Sequence, residues 1–155
     1  MTVIQFYHLR STSRERAVPK LMEKALESGA RVVLRAGREA TLKSISDALW
    51  TNDAASFIPH GRMSDAHAAE QPILLTLGEE NPNGADVICV LDGVVPTALV
   101  QYKKLLDVFD GNDEQEVVAA RKRWAGYKTQ GFALQYVQQQ TGGGWKVEMT
   151  VEAEA

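Results

Sequence analysis

D-V-I-C-V-L-D, Asp86–Asp92, is a run of five apolar residues closed at each end by an aspartate. Side chains along a strand alternate between two faces, so Val87, Cys89 and Leu91 point one way and Ile88 and Val90 the other. A strand that is apolar on both faces belongs in the middle of a sheet covered on both sides, the usual setting of a parallel sheet. Working outward, Val3–Leu9, Arg31–Arg35, Ile73–Leu77, Leu105–Phe109 and Phe132–Val137 read as further strands. Helical spacing of apolar residues predicts a helix from the Ser11-Thr12-Ser13 cap region to about Ser28. Here Pro19 is read as lying near the first turn and Gly29 as the stop. A second helix is predicted over Arg38–Trp50 and a third from Asp113 to Gly131, the last opened by Asp113 and Glu116 as a capping-box-like pair. Pro96–Lys104 reads as a short helix, Thr51–Pro72 as irregular, and Trp145–Val151 as a last strand or a tail.

Strands alternating with helices predict an α/β fold with a mostly parallel sheet and helices on both faces. The chain has 155 residues, a length that suits one domain. We expect a single domain over 1–150 and a frayed tail over 151–155. In such a sheet the first strand-to-helix turn carries glycines when a nucleotide phosphate sits there. Here that turn is H-L-R-S-T-S-R-E-R, without glycine, and no G-x-x-x-x-G-K-[ST] loop occurs. The topology expected is therefore Rossmann-like without a phosphate-binding loop, and no cofactor is expected.

Other chemistry is equally sparse. Cys89, the single cysteine, lies in an apolar strand and reads as a small core residue. With no internal disulfide possible, no long apolar run and no signal-peptide pattern at the N-terminus, the expectation is a cytoplasmic protein without membrane contact. His60, Asp65 and His67 match no recurring metal-ligand spacing, so no metal site is expected. Asp107, Asp110, Asp113, Glu114 and Glu116 read as a solvated strand end and helix cap. No G-x-S-x-G elbow is present, and the carboxylates near strand ends, Asp92 and Glu79 or Glu80, form no catalytic constellation on their own. No catalytic residue is assigned, and a binding or scaffolding role is favoured over catalysis.

Charge is distributed unevenly around a net of -3: residues 1–50 carry nine Lys/Arg and five Asp/Glu, residues 51–116 three and twelve, and residues 117–155 five and three. The acidic middle argues against wrapping duplex DNA over a large surface. The local exception is A-A-R-K-R-W-A-G-Y-K-T-Q-G-F, Ala119–Phe132. At about 100° per residue, Arg121, Trp124, Lys128 and Gly131 all fall within about 40° of Val117 on the helix surface. Cations and a tryptophan thus share one stripe. It reads either as cation stems covering the ring, or as a pocket with an aromatic floor and a cationic rim. Such a pocket suits an acidic peptide ending in an aromatic residue and a free carboxylate, or the stacking of single-stranded bases. A second spot is Asp47–His60, where Trp50, Phe57, Ile58 and Pro59 either cover a sheet edge or form a partner-binding patch.

Several segments, in this order, resemble one family. They are A-L-W at 48–50 with S-F-I-P-H at 56–60, Q-P-I-L-L at 71–75, N-P-N-G-A-D-V at 81–87, D-V-F-D-G-N-D at 107–113, and A-A-R-K-R-W-x-x-Y-K-x-x-G-F ending at Phe132. Together, across about residues 1–146, they are similar to the chi subunit of bacterial DNA polymerase III holoenzyme. The resemblance implies a non-catalytic accessory subunit that links the clamp-loader complex to single-stranded DNA-binding protein by binding that protein's acidic C-terminal tail, a run of Asp ending in Pro-Phe. DNA would then be contacted only indirectly. Carried onto this sequence, it implies that Arg121 pairs with the tail's carboxylates, that Trp124 walls the pocket for the terminal Phe, and that Lys128 and Lys122 stand at the rim. Val117 stands where other members have a lysine. Trp50, Phe57 and Pro59 match the apolar patch used for a small subunit called psi, a patch also open to another replication or repair protein. Two other readings remain beside this one: an α/β enzyme acting on a nucleotide or phosphate compound near Leu9–Arg14 or Asp92–Pro96, and a direct single-stranded DNA binder.

Overall fold

The computed structural model describes residues 2–51, 58–142 and 144–154. Eight strands, β1 (Val3–Leu9), β2 (Val32–Arg35), β3 (Gly61–Arg62), β4 (Ile73–Thr76), β5 (Val87–Val90), β6 (Lys104–Asp110), β7 (Ala133–Gln139) and β8 (Trp145–Val151), form one sheet in the order β3-β4-β2-β5-β6-β1-β7-β8. Every pairing is parallel except β7 with β8. Among the described residues three α-helices, α1 (Arg14–Glu27), α2 (Glu39–Thr51) and α3 (Glu114–Thr129), cover its two faces. The expected α/β fold, single-domain with a mostly parallel sheet, is what the structure shows.

The alternation of side chains builds two cores. Val87 and Cys89 pack into the layer under α1 and α2 with Leu9, Leu21, Leu34, Ile45 and Leu106. Ile88 and Val90 pack on the other face with Ile4, Phe6, Leu105, Phe109, Ala120 and Tyr127 beneath α3. Burial of each such side chain stabilises by about 1.5–3 kcal/mol. Cys89 is fully buried, and burial, with the nearby Asp107 charge, pushes its thiol up to about 12. It is not a nucleophile at neutral pH.

Several local expectations are modified. Pro19 sits in the second turn of α1 and is buried against the sheet side. Ser13 occupies the N-cap of α1 without a side-chain cap hydrogen bond. Asp113 does cap α3, accepting from the Gln115 and Glu116 N–H groups. The carboxylate of Glu116, however, accepts from the N–H of Asp110 at 3.3 Å, so no closed capping box forms. Pro96–Lys104 shrinks to a single 3₁₀ turn over Leu99–Gln101, too short for a lasting helix between two strand ends. The irregular 51–72 stretch contains β3 and a 3₁₀ turn at Ala68–Glu70. Beyond β8 the Glu154 N–H donates to the Gly131 carbonyl at 3.0 Å.

Candidate binding sites on the α3 face and at the strand ends

The α1 crossover leaves β1 on one face, while α3 leaves the neighbouring β6 on the other. Adjacent strands whose helices depart to opposite faces open a crevice at their C-terminal ends, where α/β folds place ligands. A cleft of about 660 Å³ lies there, and it brings together the Leu9–Arg14 turn and Asp92. At its Asp92 side, the polar groups are engaged with one another. The Asp92 carboxylate accepts from Arg14 (2.8 Å), Arg38 (3.1 Å), the Thr41 hydroxyl (3.1 Å) and the Gly37 N–H (3.0 Å). Its side chain is only 6 % exposed. Against the burial that would raise it, the hydrogen bonds from Arg14, Arg38 and Thr41 hold its carboxyl at about 2.

A depressed carboxyl stabilises the fold above the unfolded value near 4, and that contribution is lost as pH falls from about 4 towards 2. Asp92→Asn keeps the side-chain shape at a residue with φ 59. We expect it to cost about 2 kcal/mol at neutral pH, with the difference from wild type shrinking below about pH 4. Urea denaturation across pH checks both.

The β1–α1 turn shows why no glycine loop is needed. The N–H groups of Arg10, Ser11 and Thr12 all donate to Gln139 Oε1, at 3.0, 2.9 and 3.2 Å, while Gln139 Nε2 donates to the Thr12 hydroxyl at 2.8 Å. Three backbone donors converge as they would on a phosphate oxygen, and a buried glutamine from β7 receives them. Sequence reasoning missed this because the partner is more than a hundred residues away. Gln139→Ala leaves three donors without that acceptor, and should destabilise by about 2 kcal/mol in a thermal or urea melt.

On the other face, the four cations of α3 divide into two groups. Arg123 is drawn into the fold: its Nε and Nη2 donate to the two oxygens of Asp107 at 2.7 and 2.9 Å, with side chains 10 % and 1 % exposed. This corrects the reading of Asp107 as part of a solvated strand end. Burial raises the Asp107 carboxyl, and Arg123 pulls it back. Arg121, Lys122 and Lys128 stay exposed, and among the described residues none forms an ion pair.

Trp124 is half-buried between them. Its ring meets Phe6 edge-on at 5.5 Å and Tyr136 at 6.0 Å. Val117 packs partly against the same core. Tyr136 lies in register opposite Met149 of β8, which is 55 % exposed. Directly opposed residues of an antiparallel pair share a face. An aromatic floor made of Trp124 and Tyr136, bordered by Arg121 and Lys128 and by the Met149 edge, is therefore open to solvent. The sequence singled out the helical part of this floor and missed Tyr136 and Met149.

The second spot lies at the end of α2. Trp50 is 59 % exposed and meets the His60 ring edge-on at 5.2 Å. Pro59 is partly exposed, Ile58 is core, and Phe57 lies outside the described residues. His60 is held by the Ser46 hydroxyl and the Ile58 carbonyl, Asp65 accepts from the Arg62 N–H, and His67 pairs with Glu70. No helix among the described residues is long and apolar enough to cross a membrane.

The sequence pattern of the DNA polymerase III chi subunit family, HolC, matches residues 1–135. The chain belongs to this family. It is also 29 % identical over 109 residues to a protein named "Probable DNA polymerase III subunit chi" from Rickettsia prowazekii (strain Madrid E). That match covers 70 % of this chain and 66 % of the relative's length. Both segments, Ala48–Trp50 with its exposed tryptophan and Arg121–Trp124 with its half-buried one, fall within the matched family region.

Proposed function

We propose that this chain is a non-catalytic accessory subunit of the replicative polymerase assembly. In this reading it docks the acidic C-terminal tail of single-stranded DNA-binding protein on the α3 face. The observation that carries the reading is the half-buried Trp124 between exposed Arg121 and Lys128, cations that have no ion-pair partner among the described residues. At the cleft by the strand ends, Arg14 and Arg38 are instead paired with Asp92 and Arg123 with Asp107, which disfavours a nucleotide-acting enzyme there. The terminal aromatic ring of the tail would rest on Trp124 and Tyr136, with its carboxylate on Arg121 and with Lys128 and Lys122 at the rim. Trp50 and Pro59, with Phe57, would form the second contact, towards a psi subunit or another replication or repair protein, and so towards the clamp loader. DNA would be reached only through the coating protein, in the cytoplasm, and no cofactor takes part.

A titration with the last ten residues of the host's single-stranded DNA-binding protein, followed by fluorescence anisotropy, tests the reading. The expected affinity is micromolar, about 8 kcal/mol, and it should fall as salt is raised because exposed charges are screened. Binding of an oligonucleotide in preference to the peptide would favour direct recognition of single strands instead.

A further inference from the structure

Arg121 is not the only cation that reaches the aromatic floor. Arg10, just past the end of β1 and two residues on from His8, also carries its charge towards the His8 and Tyr136 rings. Both arginines are exposed, and neither guanidinium has an ion-pair or hydrogen-bond partner among the described residues. Two like charges brought together from different elements favour an anion between them.

Between them stands a fixed ring. His8 Nδ1 is hydrogen-bonded to the Tyr136 hydroxyl, and the His8 ring lies 5.1 Å from that of Phe109. Behind it is Gly111. A Cβ there would come within 1.9 Å of His8 Nε2 and 2.5 Å of the Leu9 carbonyl, so only glycine admits the ring in this place. His8 is therefore held by Tyr136 of β7, Phe109 of β6 and the turn after β6.

We propose that Arg10, His8 and Tyr136 form a carboxylate-binding corner continuous with the Trp124 floor, receiving acidic side chains that precede the terminal aromatic of the peptide. The corner rests on the peptide-binding reading and adds a second subsite to it. The charged and titratable groups that face His8 are Arg10 just past β1, Asp110 at the end of β6, Arg121 on α3 and Tyr136 on β7, with Glu148 of β8 acting on Tyr136. Burial first, then the two arginines, lower the His8 pKa, and Asp110 opposes them. In the free protein these influences favour the neutral ring. A bound carboxylate favours its protonated form, so binding takes up a proton and tightens as pH falls.

The test is anisotropy titration of an acidic decapeptide ending in a free phenylalanine carboxylate, at about pH 7.5 and about pH 5.5, a range that brackets the ordinary histidine value. Wild type should bind several-fold more tightly at the lower pH, and His8→Gln should abolish that gain. Arg10→Ala should weaken binding roughly three- to tenfold, while Lys24→Ala, which removes an exposed cation on α1, should not. Changing the peptide's aspartates to asparagine should weaken wild type more than it weakens Arg10→Ala, which is the coupling a direct contact produces. Thermal melts establish that each variant is folded.

If Arg121→Ala loses binding while Arg10→Ala and His8→Gln behave as wild type at both pH values, the corner is overturned and the floor site stands. If wild type binds no peptide, the peptide reading falls and the corner with it. If wild type instead retains an oligothymidylate that Arg10→Ala loses, the corner is a phosphate contact and the proposal is overturned.

Discussion

Arg123→Ala should destabilise the protein by about 3–5 kcal/mol, the largest effect expected of any single charge removed from this chain. The reason is what remains behind. Asp107 is 1 % exposed in the middle of β6, and both its oxygens are held by Arg123. Without the guanidinium, a carboxylate is left buried beneath α3, with Phe6 and Phe109 on either side in the same layer. Burial already raises the Asp107 carboxyl, and removing Arg123 raises it further. The folded variant then holds a proton that the unfolded chain releases above about pH 4. Its deficit relative to wild type should therefore be greatest at neutral pH and shrink on acidification. Replacing both partners by apolar residues of similar size should recover much of the loss. Urea denaturation of wild type, Arg123→Ala and the double variant between about pH 5 and 8 measures all three effects. A deficit under about 1 kcal/mol, or one independent of pH, would show that the pair is not buried as described.

Arg121→Ala should leave the fold intact and weaken the acidic tail peptide by at least tenfold. One turn of helix holds both this residue and Arg123, yet their roles separate by burial. Arg121 is exposed, and no carboxylate of the described chain pairs with it, so its loss leaves no orphaned partner. A charge-assisted hydrogen bond to a carboxylate is worth about 1.5–3 kcal/mol, which is roughly a 10- to 150-fold change in affinity. Lys128→Ala, at the exposed rim, should cost only about two- to threefold, as a screened surface charge does. Trp124→Ala should lose binding as well, but it also breaks the ring contacts with Phe6 and Tyr136, so its melting temperature must be read beside its affinity. Equal affinity of Arg121→Ala and wild type would remove the assigned anchor.

The contrast between these neighbours also marks how far the sequence can be read. D-V-I-C-V-L-D placed the centre of the sheet because period-two alternation is a local signal, and the structure puts Val87–Val90 between β2 and β6. Cation and tryptophan on one helical stripe were legible for the same reason, since helical period is local too. What lay beyond reach was pairing at a distance. Nothing in R-K-R-W distinguishes Arg123 from Arg121 until β6 presents Asp107 to one of them. Gln139 reads as one of three consecutive glutamines, and only the β1–β7 pairing turns it into the acceptor for the first strand-to-helix turn. Tyr136 and Met149 join the floor only because β8 folds back on β7. Pro96–Lys104 failed in the opposite direction: its helix-compatible composition yields only the turn at Leu99–Gln101, where the Leu99 and Tyr102 carbonyls accept from the distant Thr2 hydroxyl instead of from a following helical turn.

The most direct test of the account compares two forms of the host's single-stranded DNA-binding protein, intact and lacking its last ten residues, titrated onto this chain by calorimetry. The intact protein should bind with micromolar affinity, weakened by salt, and the truncated one should show no measurable binding. Equal binding of both forms would place the contact somewhere other than the acidic tail and would contradict the role assigned to Arg121 and Trp124.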